Sequence, residues 1–439
     1  MSALLKQPVD WQPAISRTLD GLAGRDVPWL ARQRQAALAH FLASDFPNRK
    51  NEAWKYTNIH PIVSREPVLS QAVAVDSAGV EQWRLADCDE LVFINGIYHG
   101  ALSRCDSNNG VDISTIGQLI SASDTRLQAL YRRDDGFDNA FDALNHALLR
   151  DGAVITLADH QRCQRPLHLL FISTDTTAIT PLTHYVIAGK NSQCTMVESY
   201  VSTKDANNLN LTRTNIRAGA DSHISYYRCQ RDAKHTHHLA EIAIEQAANS
   251  RIDALSLAVG GAITRVNIQV ALMEAGAECA LNGLYMTSDA QLIDHHVEVR
   301  HAVAHCRSNQ LFKGVVDGRS RAVFNGRIVV DKQAQKSEAH LTNRNLLLSK
   351  QADINSKPEL EIYADDVKCS HGATVGQLDE QSLFYLQSRG VTRELAQHLL
   401  IHAFINDIVE RIQLSTLRQQ ISDQLLGQLP HGEAVGGII

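Results

Sequence analysis

A chain of 439 residues with 44% hydrophobic and 21% charged residues has an ordinary globular balance and enough length to bury a sizeable core without disulfide or metal staples. The formal net charge of −6, with no Lys/Arg stripe interleaved with aromatics, excludes the electrostatic footprint of a nucleic-acid binder. An aromatic share of 5% favours a core of regularly stacked aliphatic side chains over large aromatic anchors.

The first residues, Met1-Ser2-Ala3-Leu4-Leu5-Lys6-Gln7-Pro8, lack a basic segment followed by an apolar one, and no apolar run approaches the roughly 18 residues that span a bilayer. A cytoplasmic protein without a membrane partner is expected. Apolar positions at helical spacing between Pro28 and Phe46 predict a helix that Pro47 stops, with two or three short amphipathic helices before about residue 88.

From Leu91 the texture changes to short β-type runs punctuated by Gly, Asn and Asp, such as Ala153-Val154-Ile155-Thr156-Leu157 and Ala322-Val323-Phe324-Asn325-Gly326-Arg327-Ile328-Val329-Val330. Such runs recur every 10 to 20 residues for about 280 residues without intervening helices. That excludes a doubly wound sheet. The region is too long for one sandwich and lacks a clean hairpin grammar, so a mainly β fold with a β-helix core is predicted, although no strict repeat is visible. After Asp379 the helical signal returns: Asp379 caps one helix, Gly390 closes it, and Thr392 caps a second running to about Ile412. The second carries a broad apolar stripe that includes Leu395, Leu399, Phe404 and Ile408. The chain thus divides into an N-terminal helical region (1–88), a β-helix core (89–375), and a C-terminal helical region whose end, His431 to Ile439, reads as a loose tail (376–439).

Eight scattered cysteines, never closer than 17 positions, form no CxxC unit, so no local motif can hold an iron–sulfur cluster within this chain alone. The 20 histidines cluster at His235-Thr236-His237-His238 and from His295 to His305, but no spacing matches HExxH or a Cys/His zinc motif. Hydrogen-bonded or surface histidines are expected. The nearest approach to a phosphate loop, Gly314-Val315-Val316-Asp317-Gly318-Arg319-Ser320, has too few residues between its glycines and Arg in place of the Walker lysine. No intrinsic nucleotide hydrolysis is predicted. In Val367-Lys368-Cys369-Ser370-His371-Gly372-Ala373, an extended backbone places Cys369 and His371 on one face about 7 Å apart. Two ligands are too few for a stable metal site, so either another chain supplies the rest or the pair binds no metal.

The segment running on through Thr374-Val375-Gly376-Gln377-Leu378-Asp379 closely resembles the C-terminal signature of the SufB/SufD family. Further resemblance lies in Arg49-Lys50-Asn51-Glu52-Ala53-Trp54-Lys55-Tyr56-Thr57, in Asp294-His295-His296 through Ser308-Asn309-Gln310-Leu311-Phe312-Lys313-Gly314, in Phe324-Asn325-Gly326, and in Leu383-Phe384-Tyr385-Leu386-Gln387-Ser388-Arg389-Gly390. It spans nearly the whole chain. The SufB scaffold side of the family carries a cysteine after Asn343 where this sequence has Arg344, which places the chain on the SufD side.

That resemblance implies a right-handed parallel β-helix between helical ends and a non-catalytic role in iron–sulfur cluster biogenesis. It implies SufB as a heterodimer partner and a SufC ATPase gripped by the C-terminal helices, for which Leu395, Leu399, Phe404 and Ile408 are the candidate contacts. ATP-driven closure of two SufC subunits would strain the SufB–SufD interface. His371, with Cys369 beside it, would there meet transient iron or a nascent cluster shared with the partner chain. Two other readings stay open: a homodimeric scaffold that holds its own cluster, and a polysaccharide-cleaving β-helix enzyme, for which no clear acid cluster is present.

Overall fold

The computed structural model describes residues 9–73, 75–105, 110–132, 136–174, 177–203 and 206–428; the expected tail from His431 lies outside them. Four helices come first: α1 (Gln12–Asp20), α2 (Pro28–Ala43), α3 (His60–Val63) and α4 (Ser77–Glu81). Strands β1 (Asp89–Ile94), β2 (Ile97–Tyr98) and β3 (Asp112–Thr115) precede α5 (Ile116–Ser121), α6 (Thr125–Tyr131) and α7 (Ala140–Ala147). Sixteen strands then follow without a helix: β4 (Ala153–Leu157), β5 (Leu167–Ser173), β6 (Ile179–Ala188), β7 (Gln193–Ser202), β8 (Leu209–Ala218), β9 (His223–Arg231), β10 (His237–Gln246), β11 (Arg251–Ala258), β12 (Ile263–Leu272), β13 (Glu278–Thr287), β14 (Leu292–His301), β15 (Arg307–Val316), β16 (Arg321–Val330), β17 (Glu338–Leu347), β18 (Asp353–Ile362) and β19 (Lys368–Gly376). The chain closes with α8 (Glu380–Ser388), α9 (Arg393–Val409) and α10 (Ser415–Gln428).

From β4 onward successive strands alternate between two sheets, and each pairs in parallel with the strand two places along. The result is a β-solenoid of about eight turns, as expected. The offset between paired strands of one sheet varies from 26 residues between His237 and Ile263 to 32 between Arg321 and Asp353. That variation hides the repeat in the sequence. At one corner, Asn191, Asp221 and Asn249 adopt left-handed φ values of 51°, 59° and 53°, and Gly276 follows at 78°. Only residues that tolerate this region can turn the chain there, which is the physical content of the Asn/Asp/Gly punctuation.

Inside the coil, side chains stack rung on rung. Val186, Ile216, Ile244, Val270, Val299 and Ile328 form one register-matched aliphatic column of the core. The two outer faces are covered separately. The N-terminal helices and α7 bury Trp54, Phe141 and Leu144 on the face carrying Leu211, Leu239 and Ile263, whereas α9 and α10 cover the other sheet through Ile405, Ile408 and Ile421.

Two expectations need correction. The β texture is interrupted by α5, α6 and α7, whose start signals were legible: Thr115 and Gln118 form a reciprocal capping box, and Asp124 and Asn139 cap the next two helices. In sequence their short apolar runs are indistinguishable from the strand texture around them. The C-terminal region holds a third helix, α10, beyond the expected hairpin, although Asp379 and Thr392 cap and Gly390 (φ 86°) closes where the sequence indicated. Among the described residues no helix is long and apolar enough to cross a membrane.

Candidate functional site

The two ends of the solenoid differ. At the start, the short strands β2 and β3 run antiparallel to β1 and β4, and Tyr98, Val111 and Ile113 lie over the core there. At the other end β18 and β19 are the last strands of their sheets, each with a neighbour on one side only. Their outer edges carry unpaired backbone groups, a template for another strand.

The ladder shows which groups these are. The Lys368 N–H bonds Ser337 O, so Lys368, Ser370, Gly372 and Thr374 spend their backbone groups on β17. The N–H and C=O of Cys369, His371 and Ala373 therefore face the free edge. Side chains alternate the other way. Cys369 lies beside Ala339 and His371 beside Leu341, both core residues, so Cys369, His371, Ala373 and Val375 continue the inward-facing columns onto a rung that nothing caps. Cys369 is half-buried against the core, and burial raises its thiol pKa. His371 is exposed. The structure thus brings the two predicted residues onto one face of one strand.

A Cβ added at Gly372 or Gly376 would meet nothing within 4 Å, so this chain's own packing does not demand glycine there. Glycine in a strand interior otherwise marks close approach by another backbone. Ile362, Tyr363 and Val375 leave an apolar, exposed rim at the same end. Pro358 sits mid-strand in β18, tolerable because β18 is an edge.

The four expected ATPase contacts separate. Leu395 and Leu399 are half-buried, and Phe404 is half-buried with Lys313 Nζ 4.9 Å over its ring. Ile408 is 1% exposed, shut against the sheet, and cannot present a surface to a partner. Lys313 fixes this face by donating to Phe404 O at 2.9 Å and pairing with Asp407 at 2.8 Å. Among the described residues of the C-terminal region, the large apolar side chains that stand exposed are instead Phe384 (73%) and Tyr385 (58%) on α8. In sequence the wider apolar stripe on α9 outweighs these two residues, because exposure is not legible from spacing.

The histidine clusters resolve into structure. His295 and His301 point into the core and His296 outward, as strand alternation required. Buried His238 links Asp232 (Nδ1, 2.7 Å) to Arg228 (Nε2, 2.6 Å) inside the solenoid, and burial, outweighing Asp232, lowers its pKa. Among the described residues no group of three or more His, Cys, Asp or Glu side chains is placed to hold a metal ion.

The segment from Arg49 to Thr57 lies against the core segments that shared its resemblance. Arg265 stacks 3.9 Å from the Trp54 ring, donates to Ala53 O and pairs with Asp294, which also receives the Thr57 hydroxyl and lies 3.0 Å from His296 Nε2. These motifs dock the N-terminal region on the solenoid's flank.

Residues 171–404 match the model of the SUF system FeS cluster assembly SufBD core domain, and residues 16–169 that of the SufBD protein N-terminal region. The chain belongs to the SufBD family. It is 32% identical to the iron–sulfur cluster assembly protein SufD of Escherichia coli K12, over 91% of this chain and 93% of that protein. A SufBD family protein of Synechocystis is 32% identical over 91% of each chain, and the chloroplastic protein ABCI7 of Arabidopsis thaliana 27% identical over 91% of this chain and 86% of its own. Within the SufBD family the likeness is to SufD, which carries the role in iron–sulfur cluster assembly.

Proposed function

We propose that this chain is a non-catalytic, cytoplasmic subunit of a SufB–SufC–SufD complex, and that the open rung β18–β19 is its half of the site where clusters form. The observation that carries this reading is the coincidence of the two unpaired edges with Cys369 and His371 on the same last rung. A SufB solenoid with a matching open end would pair its edge strands here, cover Ile362 and Val375, and bring its own ligands to His371. Iron or a nascent cluster is then cargo held between two chains, to which His371 offers a ring nitrogen and Cys369 a thiolate. Phe384 and Tyr385 on α8, together with the half-buried Leu395 and Leu399 on α9, are the proposed contact for a SufC ATPase. Nucleotide-driven closure of two SufC subunits would pull on α8, which follows β19 directly in the chain. In isolation, the same edges allow the chain to pair with itself.

Co-purification with SufB and SufC, comparing wild type with His371→Ala, tests the assignment. An intact complex that no longer assembles clusters is the expected result. Unchanged assembly would remove His371 from the site, and a stable stoichiometric cluster on the isolated chain would favour a self-sufficient scaffold.

A further inference from the structure

Away from the open rung, two thiols meet at the opposite end of the solenoid. Arg162 and Gln193 form a parallel bridge, with Cys163 N–H bonded to Gln193 O at 2.8 Å, so Cys163 and Cys194 follow as lateral neighbours. Adjacent parallel strands stand about 4.8 Å apart, inside the roughly 4.4–6.8 Å Cα window of a disulfide. Both side chains pack on the same core cluster and are in hydrogen-bonding contact, and Cys163 Sγ also lies 2.8 Å from Arg165 O.

The local backbone has slack. Between the Arg162–Gln193 bridge and the Leu167–Met196 pair, one strand advances five residues and the other three. The surplus forms a bulge beside Cys163, which relieves the geometric constraint that a cross-strand disulfide normally meets. Elsewhere the thiols of Cys88, Cys105 and Cys306 face backbone carbonyls. Access is graded: Cys163 is half-buried and Cys194 buried.

We propose that Cys163 and Cys194 are a redox-active dithiol that exchanges with small-molecule disulfides to close an intramolecular disulfide across the first corner of the solenoid. The more accessible member, Cys163, reacts first. The Cys163 thiolate attacks one sulfur of the external disulfide, whose S–S bond breaks, and one small thiolate leaves and takes up a proton. Cys194 then gives its proton to solvent and attacks Cys163 Sγ, expelling the second small thiol. One external disulfide becomes two thiols, and the protein dithiol is oxidised by the same two electrons. In the reduced pair the hydrogen bond with Cys163, then burial, holds the Cys194 thiol well above its ordinary pKa, which leaves Cys163 as the member that attacks.

The test is incubation of the full-length protein with oxidised glutathione, followed by alkylation and peptide mapping without reductant. A linked Cys163–Cys194 peptide is expected in the wild type, and a stalled glutathione adduct on Cys163 in Cys194→Ser. Cys163→Ser should carry no adduct on Cys194. A wild type without the linked peptide, or one that accumulates an unresolved adduct on Cys163, would overturn the proposal, and this arm requires no variant to fold.

Discussion

Leu341 and His371 are direct ladder partners on one inward-facing column, yet Leu341 is 1% exposed and His371 stands open to solvent. The pattern that fills the core therefore runs one rung past the point where this chain can cover it. Replacing His371 removes no internal hydrogen bond that the ladder depends on, so His371→Ala should change folding stability by no more than about 0.5 kcal/mol. Urea denaturation checks this, and a larger loss would make the residue part of the fold.

Pairing at the free edge has its own signature. Ala373→Pro removes an N–H that points away from β17, so the internal ladder survives and the edge loses one donor. One backbone hydrogen bond contributes roughly 0.5–1.5 kcal/mol, and 1.4 kcal/mol is about tenfold in affinity. The variant should keep the circular dichroism of the wild type while SufB binding, measured by titration, weakens up to about tenfold. Unaltered affinity would exclude strand pairing along β19.

The two surfaces of the C-terminal region should respond oppositely to truncation. Ile408→Ala empties a packed site against the sheet and should cost about 2–5 kcal/mol of folding stability. Phe384→Ala takes away an exposed ring and should cost little stability while weakening SufC binding by more than about tenfold. Melting temperatures and binding isotherms on the two variants separate these effects.

How far the sequence reached follows from which signals are local. Asp379, Thr392 and Gly390 mark helix ends through neighbours within four residues, and all three act as read. The facing of Cys369 and His371 follows from strand alternation alone. The openness of their rung does not, because it depends on β17 lying on one side and nothing on the other. Ile408 and Phe404 occupy one apolar stripe in sequence, and only the position of the sheet decides which is buried. Arg228, Glu198 and His238 look like surface residues of polar strands. They are buried with partners at hand: Tyr200 and Thr214 donate to Glu198, Asp232 lies 2.7 Å from His238 Nδ1, and Arg228 lies 2.6 Å from His238 Nε2.

Asp294 supplies the pH dependence. Burial alone would raise its pKa, but Arg265, then His296 and the Thr57 hydroxyl, bring it well below the ordinary carboxylate range. Since the folded pKa lies below the unfolded value of about 3.9, the carboxylate's contribution is fully present above that pH and is lost as pH falls through the folded pKa. Asp294→Asn keeps the shape but leaves Arg265 buried without its carboxylate, which should cost about 3–5 kcal/mol near neutrality. The cost should shrink below about pH 4, where the wild type begins to lose the same interaction. Urea midpoints for both proteins at pH 7 and pH 3 measure the difference, and a gap that stays constant between them would mean that Asp294 is not held ionised by Arg265. Because Thr57 shares this carboxylate, the destabilised protein should also release the segment around Trp54 from the solenoid, read as faster amide exchange from Arg49 to Thr57 than in the wild type.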